Sequence, residues 1–343
     1  MYSEDSTRAE GRRPTLADLA VRAGLSLATV DRVINRRRGV KDRTRMRVLE
    51  LAKEMGLLSS EAAAGYSTQR PANIAFLLPS GTNPYLQLLG RKLRARMDGG
   101  ATGAPNLRCF FIDGFNADAL ANALRRNASW ADGIAFFAIE HPAVRQAAAE
   151  VAEQGTRLVT IVSDLGMSSR IDHVGLDNHA VGRTAGLLIG RFSGGGGTVA
   201  LVAGSRHYRA HSEREAGVMS IMDEMFPDLH VMPMREGHDD SGENYRLTLE
   251  LLDRHRDLAG IYNVGGASGA ICRALRERNR RDVVMIGHGL TTDTRKALID
   301  GSMDAVFELA PETLIDGAIA RLTRPGDDPA RPKFDIFFRE NLD

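Results

Sequence analysis

The stretch TLADLAVRAGLSLATVDRVIN, residues 15–35, decides how the N-terminal part of this chain folds. Thr15 followed three residues later by Asp18 predicts a helix N-cap with a capping box. Apolar side chains then recur at helical spacing, at Leu16, Leu19, Ala20 and Ala23. The pattern predicts a short helix over about residues 16–23.

A second helix follows after a tight turn. Gly24 suits a left-handed C-cap, and Ser26 suits the N-cap of a helix that ends at Asn35. Its inward side chains are expected to be Val30, Val33 and Ile34, and a third helix over about 42–55 would add Met46, Leu49 and Ala52. Two short helices joined by a glycine-containing turn, with a third behind them, form a helix-turn-helix whose second helix enters the major groove of DNA.

The charge distribution favours the same interpretation. Residues 1–60 carry 13 Lys and Arg against 8 Asp and Glu, a net charge of +5, whereas the remainder carries 32 against 36, a net charge of −4. The run RRRGVKDRTR, residues 36–45, contains six of these basic residues. A basic end on a nearly neutral protein is typical of a module that binds a polyanion, although a solvated surface would look the same by charge alone.

Composition excludes several other classes. The 343 residues are 43% hydrophobic and 26% charged, which is typical of a globular protein with more than one domain. We expect a cytoplasmic protein without membrane contact, because no apolar run reaches the roughly 18 residues of a membrane span and the start MYSEDSTRAEGRRP has no apolar signal core. Cys109 and Cys272 lack the spacing of a disulfide framework or zinc site and are expected to be buried thiols.

From residue 73 onward, short apolar runs alternate with longer amphipathic stretches. The runs are NIAFLLP (73–79), LRCFFID (107–113), GIAFFAI (133–139), RLVTIVS (157–163), TVALVAG (198–204), LHVMPMRE (229–236), LAGIYNV (258–264), DVVMIGH (282–288) and MDAVFEL (303–309). Helices are expected up to about 98 and over 117–128, 142–154, 178–192, 212–225, 241–254, 267–278 and 311–322. This βαβ series predicts an α/β fold with two doubly wound parallel sheets, with a ligand cleft at the carboxyl ends of the strands.

The opening stretch, followed by GVKDRTRMRVLELAKEMGL (39–57), resembles the DNA-binding headpiece of lactose-repressor (LacI) family transcription regulators. The rest of the chain resembles the family's effector-binding core, which is built like periplasmic sugar-binding proteins. The resemblance implies a headpiece at 1–58, a hinge at 59–72 and a core at 73–343, with one subdomain at 73–176 and 306–333 and the other at 177–305 and 334–343. The family places a DNA-ordered hinge helix with a leucine wedge in this hinge. Here Tyr66 stands at the leucine position beside Gly65, so a looser tether is the alternative.

The resemblance also implies which headpiece residues contact DNA. Arg32 matches the family's base-contacting arginine, and Asp31 stands where most relatives have serine, so it either contacts a cytosine amino group or restrains Arg32. Arg36, Arg37, Arg38, Lys41 and Arg43 are expected to be phosphate contacts, with simple solvation as the alternative for each. The full set of expected DNA-binding residues is Thr15, Ser26, Leu27, Ala28, Thr29, Asp31, Arg32, Asn35, Arg36, Arg37 and Lys41.

Effector-binding candidates are expected in the segments that follow the predicted strands of the core. They are Asn83, Tyr85, Ser163, Asp164, Arg214 and Asn263. The resemblance implies Tyr85 and Asn83, because the family carries an aromatic residue that stacks on the ligand and a polar partner after the first strand. Arg214 matches the family's cleft arginine, with a surface salt bridge as the alternative, and the others could instead shape loops or strand ends. The chain has GGASG (265–269) where sugar-binding relatives often carry an acid and Leu309 where many carry glutamine, so the effector cannot be copied from the family. We expect a sugar or polyol.

Enzyme-like motifs are incomplete. GGASG lacks the full GxGxxG spacing, SGGGGT (193–198) lacks GK[ST], and no GxSxG is present. His207 and His211 would suit a metal only on a helix, and a cleft-lining loop is the favoured alternative. We therefore expect no catalytic residues, no metal and no cofactor.

The predicted function is a homodimeric, ligand-responsive repressor that binds double-stranded operator DNA and controls carbohydrate or polyol uptake and catabolism. The alternative is a cytoplasmic sugar-binding protein or enzyme of the same fold that binds no operator.

Overall fold

The computed structural model describes residues 14–35, 37, 40, 42–59, 71–99, 103–166, 171–324 and 332–342. The chain divides into two compact units, Met1–Pro71 and Ala72–Asp343. No helix among the described residues is both long enough and apolar enough to cross a bilayer.

The first unit contains the three predicted helices, Leu16–Ala23, Leu27–Ile34 and Asp42–Glu54. The predicted capping residues of the first two helices are confirmed. Thr15 and Asp18 form a capping box, with the Asp18 carboxylate accepting from the Thr15 N–H at 2.8 Å, Gly24 is left-handed at φ 66°, and the Ser26 hydroxyl accepts from the Thr29 N–H. The small core that holds these helices together consists of Leu19, Ala20, Ala23, Val30, Val33, Val48, Leu49 and Ala52. Ile34 packs at its edge, and Met46, predicted to face inward, is only half-buried.

The second unit begins with a five-stranded, fully parallel sheet, which we call the first sheet. Its strands are β1 Asn73–Pro79, β2 Asn106–Ile112, β3 Gly133–Phe136, β4 Arg157–Ile161 and β5 Asp172–Val174, in the order β2-β1-β3-β4-β5. The helices between them are Pro84–Asp98, Ala117–Asn127 and Pro142–Glu153. The sequence predicted the first four strands and missed β5, which has only three residues.

The second sheet contains seven strands in the described residues. They are β6 Gly197–Ala203, β7 Leu229–Val231, β8 Arg235–Glu236, β9 Leu258–Asn263, β10 Val284–His288, β11 Ala305–Glu308 and β12 Asp335–Phe337. The order is β12-β11-β10-β9-β6-β7, with β8 also paired to β6 and with β12 antiparallel to β11. The associated helices are Asn178–Phe192, Arg209–Met225, Ser241–Arg254, Ser268–Glu277 and Thr292–Asp300, and a 3-10 turn covers Arg339–Asn341. Helix Thr292–Asp300 was not predicted, since only Thr294, Ala297 and Leu298 are buried in it.

The return to the first sheet comes later in the chain than expected. Strand β11 was assigned to the first subdomain from residue 306, but it pairs with β10 and β12 in the second sheet. The next helix, Pro311–Thr323, packs on the first sheet, where the Leu322 carbonyl accepts from the Arg157 guanidinium at 2.9 Å. We call the first sheet with its helices, including this one, the first lobe, and the second sheet with its helices the second lobe.

A row of glycines brings two helices of the second lobe into backbone contact. Gly182, Gly186 and Gly190 lie on helix Asn178–Phe192, where the first two face helix Arg209–Met225 and Gly190 faces Phe226 just after it. A Cβ atom at Gly182 would lie 2.1 Å from the Arg214 carbonyl oxygen. The glycine row therefore determines how close the backbone of Arg214 lies to the neighbouring helix.

We expect Gly182→Ala to destabilise the second unit. Helix propensity alone would favour the alanine by about 1 kcal/mol, but the methyl group collides with backbone that cannot rotate away, and overpacking costs about 1–3 kcal/mol or more. Gly196→Ala is the matched control, because no atom lies within 4 Å of a Cβ there. Denaturant unfolding of both variants measures the difference, and a Gly182→Ala midpoint equal to that of the wild type would contradict the close contact.

Candidate functional site

A cleft lies between the two lobes, at the carboxyl ends of their strands. Its volume is about 660 Å³, counted with the space at its mouth that is open to solvent. The lining residues are Asn83, Tyr85, Leu86, Phe137, Val162, Leu176, Tyr208, His211, Arg214, Asp239, Val264, Gly265, Gly266, His288, Gly289, Phe307, Glu308 and Leu309. Of the six predicted effector residues, the structure brings Asn83, Tyr85 and Arg214 into this lining.

Arg214 is the buried cation of the cleft. It is 7% exposed, its Nε donates to the Asn178 side-chain oxygen at 2.9 Å, and its Nη1 donates to the Val264 carbonyl at 2.7 Å. Burial lowers the pKa of this guanidinium, although an arginine stays charged. Nη2 donates to no group of the described residues, so it is available to a ligand oxygen.

Tyr85 and Asn83 enter the cleft from the start of helix Pro84–Asp98. Asn83 is the N-cap of this helix, and the Tyr85 hydroxyl donates to the Leu309 carbonyl at 2.8 Å. Burial raises the pKa of the Tyr85 hydroxyl, so it remains protonated. The ring of Tyr85 therefore forms a fixed apolar wall.

Three predicted residues lie beside the cleft rather than in its lining. The Ser163 hydroxyl accepts from the Ala210 N–H at 3.5 Å, and the Asp164 carboxylate accepts from the Thr160 hydroxyl at 2.8 Å. The Asn263 amide donates to the Gly266 carbonyl and to the Ser268 hydroxyl. Each of these side chains shapes the loop that follows its strand.

Two histidines of the lining were not predicted as effector residues. The His211 Nδ1 lies 2.8 Å from the Ser205 carbonyl, and burial lowers its pKa to about 4. The His288 Nε2 lies 2.8 Å from the Tyr262 hydroxyl, and burial also holds its pKa well below the usual range. The preferred loop interpretation of 207–211 was partly wrong, because a helix begins at Arg209 and carries His211 in its first turn, one helical turn before Arg214.

Two buried carboxylates complete the site. Glu308, the last residue of β11, accepts from the Leu290 N–H at 2.6 Å, and burial raises its pKa to about 7. Asp239 follows β8 and accepts from the Gly266 N–H at 2.6 Å. The GGASG loop thus lacks an acid of its own but receives one from a neighbouring loop, which no spacing in the sequence indicates.

The second headpiece helix presents several candidate DNA-reading residues to solvent. Leu27 is 53% exposed, and Arg32 is exposed and forms no ion pair with any residue that the structure describes. The idea that Asp31 restrains Arg32 was wrong, because Asp31 accepts from the Asn35 amide at 2.6 Å and from the Arg37 guanidinium at 3.2 Å. Arg36, Arg38 and Lys41 lie outside the described residues, as does the hinge around Gly65 and Tyr66, and nothing is described of the Arg43 side chain.

The described residues contain no cluster of three or more His, Cys, Asp or Glu side chains that could hold a metal ion. Both cysteines are free, and burial raises the pKa of Cys109 to about 11 and that of Cys272 to about 12. Neither thiol lines the cleft.

Known structures share the two-lobe architecture. GanP, a glucose-galactose binding protein from Geobacillus stearothermophilus, has a TM-score of 0.70 at 19% identity, over 80% of this chain and 99% of its own. An ABC transporter solute binding protein from Burkholderia graminis, solved with D-arabinose, has a TM-score of 0.72 at 19% identity, over 80% of this chain and 98% of its own. At these identities the likeness establishes the fold.

Sequence relatives are regulators. The chain is 34% identical over 86 residues to the HTH-type transcriptional regulator DegA of Bacillus subtilis and 32% identical over 77 residues to catabolite control protein A of Streptococcus mutans. These matches cover 25% and 22% of this chain, and 26% and 23% of the two relatives, so the chain is aligned with only about a quarter of each. Family models match over residues 15–58, described as bacterial regulatory proteins of the lacI family, and over residues 74–320, described as a periplasmic binding protein domain. The chain therefore belongs to the periplasmic binding protein domain family and carries an N-terminal helix-turn-helix domain of the lacI family.

Proposed function

We propose that this protein is a cytoplasmic, homodimeric transcription regulator that releases operator DNA when a sugar or polyol binds in its cleft. It represses genes for uptake or catabolism of a carbohydrate or polyol and catalyses no reaction. The observation that carries this proposal is the presence, in one chain, of a lacI-type helix-turn-helix and a cleft whose buried arginine has one uncommitted nitrogen.

Exposed side chains on the second helix of the headpiece support the proposal that it reads DNA bases. Leu27 and Ala28 are exposed at the start of the second helix, where they suit apolar contact with thymine methyl groups. Arg32 is exposed on the same helix and suits a two-bond contact with guanine. Asp31 belongs to the same surface, and its carboxylate pairs with Arg37 rather than with Arg32.

The cleft supports a polyhydroxylated, uncharged effector. The aromatic side chains of Tyr85, Phe137 and Tyr208 belong to its lining and suit the apolar faces of a sugar ring. The cleft contains the carboxyl groups of Asp239 and Glu308 as well as the Arg214 guanidinium, so it has no excess of positive charge. A phosphate or carboxylate ligand would require such an excess. Hydroxyl groups can accept from Arg214 and donate to Glu308.

The regulatory step would be a population shift. An effector that contacts both lobes stabilises the closed cleft, and the change in lobe orientation is transmitted to the spacing of the two headpieces in the dimer. Headpieces at the wrong spacing no longer fit the two half-sites of a palindromic operator.

Arg214→Ala should abolish effector-induced stabilisation. The effector is first identified as the compound that raises the unfolding temperature of the full chain in a screen of sugars, polyols and sugar phosphates. Loss of a buried charged hydrogen-bonding group typically costs a few kcal/mol of binding, so calorimetric affinity should fall at least about a hundredfold. Arg191→Ala, at an exposed arginine of the same lobe, is the matched control. Unchanged affinity in Arg214→Ala would remove Arg214 from the effector site.

Arg32→Ala and Arg37→Ala should weaken DNA binding in different ways. On an operator selected from a random duplex pool, Arg32→Ala should cost about 1–3 kcal/mol, and on random duplex much less. Arg37→Ala should weaken both by a similar factor and lower the salt dependence by about one unit for each subunit bound. Binding isotherms over a salt series measure both effects. Equal losses for Arg32→Ala on the two duplexes would show that Arg32 does not read a base.

Glu308 should make the free energy of unfolding depend on pH when no effector is bound. Its folded-state pKa of about 7 exceeds the ordinary value of 4.5, so its favourable contribution is complete below pH 4.5 and is lost as pH rises to about 7. Relative to Glu308→Gln, the unfolding free energy of the wild type should fall by up to about 3 kcal/mol between pH 4.5 and about pH 7. Denaturant unfolding at pH 5 and pH 8 measures this, with the exposed Glu153→Gln as control. A constant difference between wild type and Glu308→Gln would be the contrary result.

A further inference from the structure

Asp239 connects the two lobes across the cleft. Its Oδ1 accepts from the Gly266 N–H of its own lobe at 2.6 Å, and its Oδ2 accepts from the Asn83 amide of the first lobe at 2.8 Å. Its backbone carbonyl accepts a further bond from the Thr82 hydroxyl at 3.2 Å. The side chain is 7% exposed, so this charged hydrogen bonding is largely shielded from water.

The backbone that presents Asp239 is strained. His238 and Asp239 have φ angles of 51° and 54°, two consecutive non-glycine residues in the left-handed region. Such a conformation is unfavourable for each residue and persists only where the surroundings enforce it, commonly at functional sites. The loop after β8 is therefore held in the shape that delivers this carboxylate.

Glycines from separate segments leave room for the contact. A Cβ atom at Gly204 would lie 2.6 Å from the Asp239 Oδ1, and one at Gly265 would lie 2.5 Å from the same oxygen. A Cβ atom at Gly266 would lie 2.4 Å from the Asn83 Nδ2. The GGASG loop is thus shaped around the paired side chains of Asp239 and Asn83.

The donor in this pair is fixed by the helix cap. The Asn83 Oδ1 accepts from the backbone N–H groups of Tyr85 and Leu86, which start helix Pro84–Asp98. The Asn83 amide cannot be turned around without losing that cap, so its Nδ2 must face Asp239. In this structure both polar atoms of Asn83 are therefore bonded within the protein.

We infer that the Asp239–Asn83 hydrogen bond is a latch that holds the cleft closed and sets how much of the closed form exists before effector binds. This inference rests on the proposed function only for its regulatory meaning. Asn83 then serves closure rather than effector contact, and Asp239 is a positioning residue. A stronger latch raises the fraction of molecules in the closed form, which is competent to hold the effector, and hence raises the apparent effector affinity.

Because Asn83 is the donor and Asp239 the acceptor, exchanging the two residues tests the bond in the full chain. In Asp239→Asn the single remaining oxygen can accept from the Gly266 N–H or from the Asn83 amide but not from both, so with the Gly266 bond kept two amide NH2 groups face each other. Asn83→Asp places two carboxylates against each other. In the double variant an amide at 239 can donate to a carboxylate at 83, while the remaining oxygens still serve Gly266 and the helix cap. Each single variant should open the cleft, and the double variant should close it again.

Hydrogen exchange and small-angle X-ray scattering, without effector or DNA, report the result. In each single variant the amides around Gly266 should exchange at least about tenfold faster, with a larger radius of gyration. The double variant should return most of the way to wild type, and the exposed Asp228→Asn should change neither quantity.

Single variants that match the wild type, or a double variant as open as the singles, would overturn the latch. If a charged variant fails to fold, Asn83→Ser keeps a helix-capping oxygen but removes the Nδ2 donor, and it should open the cleft on its own. Neither readout involves operator binding, so a failed DNA assay with an intact exchange pattern would overturn the regulator proposal and leave the latch standing.

Discussion

The second unit is organised around one buried cation. A guanidinium that is 7% exposed must have its donors satisfied or facing a ligand, because an unpaired buried charge would destabilise the fold by several kcal/mol. Arg214 meets this requirement with Asn178 on the adjacent helix and with the Val264 carbonyl just after β9. Asn178 is within reach because Gly182 allows the two helices to touch at the backbone. Helix packing and ligand chemistry are therefore coupled in this lobe.

Burial of ionisable groups also gives the cleft its chemical character. His211 and His288 are kept neutral at pH 7 because burial lowers their pKa values and Arg214 disfavours a second positive charge nearby. Burial also raises the pKa of Glu308 to about 7, so this side chain exchanges between hydrogen-bond donor and acceptor near neutral pH. A site with one fixed cation, neutral imidazoles and carboxylates is suited to hydroxyl groups, which both donate and accept. This chemistry supports the proposed sugar or polyol effector.

The headpiece follows a different principle, in which local signals suffice. Three short helices bury a core of eight small and aliphatic side chains, and each turn is fixed by its own cap. Its exposed pairs, such as Asp31 with Arg37, stabilise little in water and can be exchanged for contacts with phosphate or base edges. The surface that we propose to read DNA is therefore free to rearrange, whereas the helices beneath it are not.

The sequence by itself determined the elements and their class. Capping residues and 3.6-residue periodicity located the headpiece helices, and continuous apolar runs located nearly all strands of both sheets, because buried parallel strands require such runs. Family resemblance also identified Asn83, Tyr85 and Arg214 as cleft residues, and the first two follow a predicted strand. Only the tertiary structure decided the rest. His211, Asp239, His288 and Glu308 come from four separate segments of the second lobe, and long-range packing alone brings them to one cavity. The same holds for β11, whose short apolar run fits either sheet by composition and is assigned to the second by its hydrogen bonds with β10 and β12. The physical reason is that periodicity reports which face of an element is buried, whereas the identity of the neighbour on that face depends on contacts distant in sequence.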